Sequence, residues 1–177
     1  MKNPIQPTTL ERVMREDDFI VSKTDLTGRI TYGNRIFIEF SGYSEAELLG
    51  SQHNIIRHPD MPRGVFKFLW DTISQKQECM AFVKNMAKDG SFYWVFALVS
   101  PAFDPQGNHI GYYSVRRKPH AAGVRLMQTV YQEMLAIERR AGPKDACEAS
   151  LAYLTGLLRD KGVRYEDFVI GLQEGRA

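Results

Sequence analysis

Cysteine is scarce in this chain: only Cys79 and Cys147 occur in 177 residues, and they form no CxxC pair. That usage fits a reducing compartment and argues against a structural zinc site. An excess of one charge is also missing. The formal net charge is +2, so no field points to DNA, RNA or an anionic membrane, and nucleic acid is not an expected partner. No apolar run approaches the roughly 18 residues needed to span a bilayer. The opening MKNPIQPTTLERV lacks an apolar h-region, so neither membrane insertion nor a signal peptide is expected, and the expected location is the cytoplasm. Paired carboxylates, a nucleophile–base set and a nucleotide GxGxxG are likewise missing, so no enzymatic activity is expected. There is no internal repeat and no low-complexity tract.

What is present suits a globular protein. Apolar residues make up 44% and charged residues 25%. The length fits one ordinary domain with an appendage, or two small domains. Residues 1–8 hold two prolines and little to bury, and read as a loose arm. Phe19-Ile20-Val21-Ser22, the turn signal Asp25-Leu26-Thr27-Gly28 and Arg29-Ile30-Thr31-Tyr32 read as a hairpin. Asn34 to Ser41 has helical spacing and stops at Gly42; Ser44-Glu45-Ala46-Glu47 is a capping box for a second short helix ending at Gly50. The apolar stripe Val65, Phe66, Phe68, Leu69, Trp70 and Ile73 marks a helix from about Pro62 to Gln75, with Asp60 and Pro62 suited to its first turn.

The period then changes. Cys79 to Asn85, Phe92 to Ala102 and Ile110 to Arg117 read as three strands, with turns at Lys88-Asp89-Gly90-Ser91 and Asp104 to Asn108. From about His120 helical spacing returns, running toward Gly142, again from Asp145 to Lys161, and a third time from Tyr165 to Leu172. Two strands, short helices, a longer helix and a three-strand meander pack most simply as an α+β domain: one antiparallel sheet with its helices on one face. A cavity between sheet and helices is the natural ligand site. The helical third after residue 118 is expected to be a small bundle or a dimerisation element.

Between the capped helix and the amphipathic one lies His53 to Pro62, HNIIRHPDMP, too polar for core and too rigid for a casual linker. This block, with Ile30-Thr31-Tyr32-Gly33-Asn34, Phe40-Ser41-Gly42-Tyr43-Ser44, Val83-Lys84-Asn85 and Tyr93-Trp94-Val95, resembles the PAS sensor domain of the bacterial aerotaxis receptor (Aer) family, in its FAD-binding branch. The resemblance covers roughly residues 15–118 and implies a five-stranded antiparallel PAS sheet, preceded by an arm (residues 1–14) and followed by a helical signalling or dimerisation region (119–177). It also implies non-covalent FAD, whose redox state would report oxygen and respiratory electron flow to a chemoreceptor or kinase partner, with a homodimer as one possible form. Carried over by position, it marks Arg57, His58 and Asp60 as the cluster on which the flavin fold depends. It further makes Asn34, Phe66, Trp70 and Asn85 pocket lining, with His53, Asn54 and Cys79 as further cofactor contacts. Cys79 is a departure, since many FAD-binding relatives carry tryptophan there and a thiol cannot stack. A light-driven flavin–cysteine adduct is not expected, because the segment before the long helix has no cysteine.

Flavin chemistry gives these residue types a purpose. The isoalloxazine plate rewards burial against Phe66 and Trp70. Its pyrimidine edge mixes acceptors with an N–H donor, which an amide such as Asn85 complements. Cys79, Ala81, Val83 and Asn85 share one strand face, where small side chains leave room for the plate. Arg57 suits the pyrophosphate, and Asp60 would hold that guanidinium or an adenosine group. His53 and His58 titrate near neutral pH in their ordinary state and would couple proton uptake to reduction. The decapeptide then reads as a ligand clamp over the cavity mouth.

Plainer readings stand beside these. Arg57 and Asp60 could form a structural ion pair, His58 could be a loop residue, and Asn34 could merely cap its helix. Phe66 and Trp70, four residues apart, could be core. Cys79 could be a small buried side chain, and a cofactor-free interaction module would fit it best. A haem held by His53 or His58 is a weaker competitor, and a flavoenzyme is the least expected of the alternatives.

Overall fold

The computed structural model describes residues 5–176. Strands β1 (Ile20–Thr24) and β2 (Ile30–Gly33) lead into helices α1 (Arg35–Ser41) and α2 (Glu45–Leu48), a 3-10 turn at His53–Ile56 and helix α3 (Arg63–Ser74). Strands β3 (Cys79–Met86), β4 (Phe92–Phe103) and β5 (His109–Arg117) follow, then helices α4 (Ala121–Lys161) and α5 (Tyr165–Gln173). All neighbours pair antiparallel, in the order β2-β1-β5-β4-β3. This is the expected α+β sheet.

Local chemistry explains the early elements. Asp25 Oδ1 accepts from the Thr27 and Arg29 backbone amides and from the Thr27 hydroxyl, closing the first hairpin. Asn34 accepts from Phe37 N and starts α1, while Ser44 and Glu47 complete the capping box of α2. Helix α3 begins one residue past Pro62, whose φ of −63° suits it, but Asp60 makes no cap.

One sequence expectation needs correction. The arm is tied down where it is described: Thr8 N donates to Gly90 O, Phe92 N to Leu10 O, and Arg12 N to Phe92 O. The Arg12 guanidinium also donates to Ser91, Asp89 and the carbonyls of Glu39 and Phe40. A loose arm can therefore hold only for residues before this seam, and 1–4 lie outside the described part. The helices before residue 118 lie on one face, as expected, and the C-terminal helices take the other. Residues 79, 81, 83 and 85 of β3 face α1–α3, so Phe82 and its cross-strand neighbour Phe96 point the other way, in edge contact at 5.1 Å between ring centroids. There α4 covers them: Tyr131 stacks on Trp94 with ring centroids 6.3 Å apart and donates to Phe82 O at 2.7 Å.

Helix α4 then folds in two at Gly142, whose φ of +77° a side chain rarely adopts, followed by Pro143. In an unbroken helix, residues 138 and 150 would stand ~18 Å apart. Instead Ser150 Oγ donates to Glu138 Oε1 at 2.8 Å, so the halves lie side by side. The second half seats on α3 at Gly64, where a Cβ would come within 2.2 Å of Ser150 Oγ. Helix α5 returns to α3 through Phe68 and Tyr165, ring centroids 4.5 Å apart.

Candidate functional site

Between the inner sheet face and α3 lies a cavity of about 400 Å³, within the range of small-molecule sites. Its floor follows from strand parity: Ser22 and Thr24 on β1, Tyr112, Ser114 and Arg116 on β5, Ala97 and Val99 on β4, Val83 and Asn85 on β3. Phe66, Leu69, Trp70 and Ile73, one helical stripe of α3, form the apolar wall. The 3-10 turn and the residue after it add His53, Asn54, Ile56 and Arg57, and α4 contributes Cys147.

The decapeptide splits in two. Its first half is cavity wall; its second half is a staple. Arg57 lies 4.1 Å over the Phe66 ring, donates to Met61 O, and forms a backbone bridge with Asn85. Burial pushes its pKa down, yet a guanidinium stays charged at neutral pH. Asp60 does not hold Arg57. It is 61% exposed and pairs with Lys84 Nζ at 2.7 Å, because the chain turns outward at Pro59. His58 Nδ1 accepts from Asp60 N, so Nε2 carries the proton, and the ring is buried edge-on to Phe92. Met61 is buried, with its sulfur at Lys84 N.

Of the ten residues expected at the site, His53, Asn54, Arg57, Phe66, Trp70 and Asn85 line the cavity; Asn34, His58, Asp60 and Cys79 do not. Asn34 is consumed by structure: it accepts from Val21 N and Phe37 N and donates to Phe19 O. Cys79 is a buried thiol pushed up to about 12, chiefly by burial, and is inert at neutral pH. The histidines also depart from expectation. Burial, aided by the Arg116 cation, brings His53 down to about 3. His58 falls to about 4 through burial and Lys84, against the opposing pull of Asp60. Both are neutral at pH 7, so neither takes up a proton there.

The sequence reading missed Arg116, Ser22, Tyr112, Ser114 and Gln52, and the basic rim of Arg63 and Lys67. Arg116 is 2% exposed and reaches Ser22 Oγ through Nη2, while Ser22 lies 3.0 Å from His53 Nε2. Because Ser22 accepts from Arg116, its own hydrogen is free to donate to His53, which the neutral ring can accept. A period-two pattern of Tyr112, Ser114 and Arg116 was the available signal, since an arginine on an inner strand face needs a reason to be there.

The residues fit a flavin on an observation independent of the family. Asn85 Nδ2 and Arg116 Nε and Nη1 are buried on the cavity side and have no partner within the protein. Buried donors are nearly always satisfied, so they mark where a polar-edged ligand would bind. An apolar slot with an amide and a guanidinium in it suits a flat heteroaromatic plate with an acceptor-rich edge.

Residues 30–116 match the family model described as PAS fold. The chain is 35% identical over 123 residues to the aerotaxis receptor of Escherichia coli, covering 70% of this chain and 24% of that one. It is 33% identical over 97 residues to the nitrogen fixation regulatory protein of Klebsiella pneumoniae, covering 55% and 20%. It thus spans a quarter or less of these relatives. Among solved structures, the light state of the blue-light photoreceptor Aureochrome1 LOV aligns with a TM-score of 0.55 at 22% identity, over 63% of this chain and 88% of that one. A light-oxygen-voltage domain studied with a flavin analogue also gives 0.55, at 20% identity over 65% and 86%. These likenesses establish the fold. Sheet order, inner-face cavity and the match of residues 30–116 agree on the PAS fold, and in sequence the chain is similar to an aerotaxis receptor.

Proposed function

We propose that this chain is a redox-sensing module that binds FAD non-covalently in the inner-face cavity and passes the flavin's redox state to a signalling protein, a chemoreceptor or kinase system, in the cytoplasm. The observation that carries this reading is the pair of buried, unpartnered donors, Asn85 and Arg116, in a slot walled by Phe66, Leu69 and Trp70. A flavin supplies the electron chemistry when bound, and the protein supplies burial, orientation and charge. Asn85 would hold the plate's polar edge. Arg57, Arg63 and Lys67 along the rim suit a diphosphate, which favours the dinucleotide over riboflavin alone. The kinship with an aerotaxis receptor supports a sensing role over catalysis.

The output route is short. Cys147 on α4 is part of the cavity wall, and Glu138 on the same helix accepts from Gly64 N at the start of α3 at 2.9 Å. A change in the cavity therefore reaches α4 without an intermediary. On the uncovered outer face, Tyr32, Tyr113 and Val115 stay exposed and offer a seat for a second copy or for the signalling partner.

An absorbance spectrum of freshly purified protein tests the reading, followed by chromatography of the cofactor released on denaturation. Flavin bands with FAD as the released species are expected. Protein that stays colourless after reconstitution with FAD overturns the reading in favour of a cofactor-free interaction module.

A further inference from the structure

Arg116 is out of place in a strand floor. Across the sheet it stands opposite Ala97, which stands opposite Ala81, so two small side chains leave its cavity side open. On its other flank it pairs with Ile20. One guanidinium arm is held by Ser22, and the plane lies 4.8 Å from the Phe37 ring. The other two nitrogens are buried without a partner, and among the described residues no carboxylate forms an ion pair with it. Its electrostatic neighbours are the Tyr93 phenol, itself un-ionised through burial, and the neutral His53. Burial brings it down to about 10, still cationic at neutral pH. A lone buried cation is costly unless something opposes it. Structural use alone, through Ser22 and Phe37, would leave that charge uncompensated.

We infer that Arg116 sets the charge state of the bound flavin: its guanidinium pairs with the cofactor edge that becomes negative on reduction, so the reduced flavin is held as an anion. The inference rests on the flavin reading above and assigns its regulation to one residue. Two-electron reduction puts a proton on flavin N5 in either case. N1 takes a second proton only if the product is neutral, and a fixed cation beside the N1–C2 carbonyl edge opposes that second protonation. The cavity then favours the reduced over the oxidised cofactor, because only the reduced form presents the compensating charge. His53 cannot replace the missing proton, since its Nε2 already accepts from Ser22.

The test is an anaerobic titration of the FAD-loaded protein with dithionite, which supplies both electrons and is itself oxidised to sulfite. Proton uptake per flavin is read with an indicator dye at mildly acidic pH, where free reduced flavin is neutral, after correction for protons released by dithionite. The wild type is expected to take up one proton per flavin and to show the spectrum of the reduced anion. Arg116→Met is expected to take up two, with the preference for reduced over oxidised FAD reduced on the order of tenfold or more, the equivalent of one pKa unit of charge interaction. Arg116→Lys keeps a cation and should keep the single proton. Two protons in the wild type overturn the inference even if Arg116→Met fails to fold, and so does one proton in a folded, loaded Arg116→Met. Both results leave FAD binding intact and separate this failure from that of the flavin reading, which shows itself as no bound flavin at all.

Discussion

Neutral histidines make this protein sensitive to acid in a defined window. An unfolded histidine titrates near 6.5, whereas His53 is lowered to about 3 and His58 to about 4. Between those values the unfolded chain binds more protons than the folded one, so stability is complete above about pH 6.5 and falls as pH drops toward 4. Each histidine contributes a slope of at most about 1.4 kcal/mol per pH unit. Urea midpoints from pH 7 to 4.5 should decline accordingly, and the double variant His53→Gln, His58→Gln should flatten the decline. Glu47 and Asp89, each lowered to about 2, add their loss only at lower pH, below the ordinary carboxylate range. Asn34 provides a second residue-scale test. Asn34→Ala removes three side-chain bonds, to Phe19, to Val21 of β1 and to Phe37 of α1, and should cost about 1–3 kcal/mol in urea unfolding with an unchanged m-value. Because the side chain lies outside the cavity, the folded fraction should bind FAD as before. Loss of binding in fully folded protein would place Asn34 at the ligand after all.

At the scale of elements, the junction of α3 with α4 is where the cavity wall meets the C-terminal helices. Glu138 is buried and accepts from both Gly64 N and Ser150 Oγ, so its carboxylate joins the first turn of α3 to both halves of α4. Glu138→Ala should cost about 1–3 kcal/mol, the penalty of leaving buried donors unpaired. Hydrogen exchange should rise first in residues 144–161, and bound flavin should dissociate faster because Cys147 leaves the wall. Unchanged exchange in that segment would show that other contacts carry the docking. The sequence made this junction only half visible. Gly142-Pro143 announced a break in the helix, and the capping box at Ser44 and the turn at Asp25 were equally plain, because such signals act within a few residues. That α4 would cover Trp94 and Phe96 and then seat on Gly64 depends on contacts some 70 residues apart in sequence, which no local pattern encodes.

At the scale of the whole chain, a PAS-fold sheet is sealed by the helices that follow it. Phe82, Trp94 and Phe96 are buried, in large part under α4. A chain ended at Lys118 would bare them as one patch, which folded monomers seldom tolerate. Such a chain should unfold at lower urea and sediment as larger aggregates than the 177-residue chain does; equal stability and equal sedimentation state would mean that the helices are a removable appendage.

The strand and helix periods, the caps and the apolar stripe of α3 are local properties, and through them the sequence alone determined an α+β fold with a hollow beside the sheet. Strand parity and helical spacing, which fix which side chains share a face, put Asn85 and Phe66 on that hollow, and the family resemblance pointed to Arg57. Only tertiary structure decided the rest. Asp60 went to Lys84 because Pro59 turns the chain outward, and His53 lost its proton because folding buries it near a cation. Arg116 became a buried charge without an ion pair because β5 lies between β1 and β4, with Ile20 and Ala97 for neighbours. Charge and proton states depend on what folding places around a group, and sequence spacing does not carry that information.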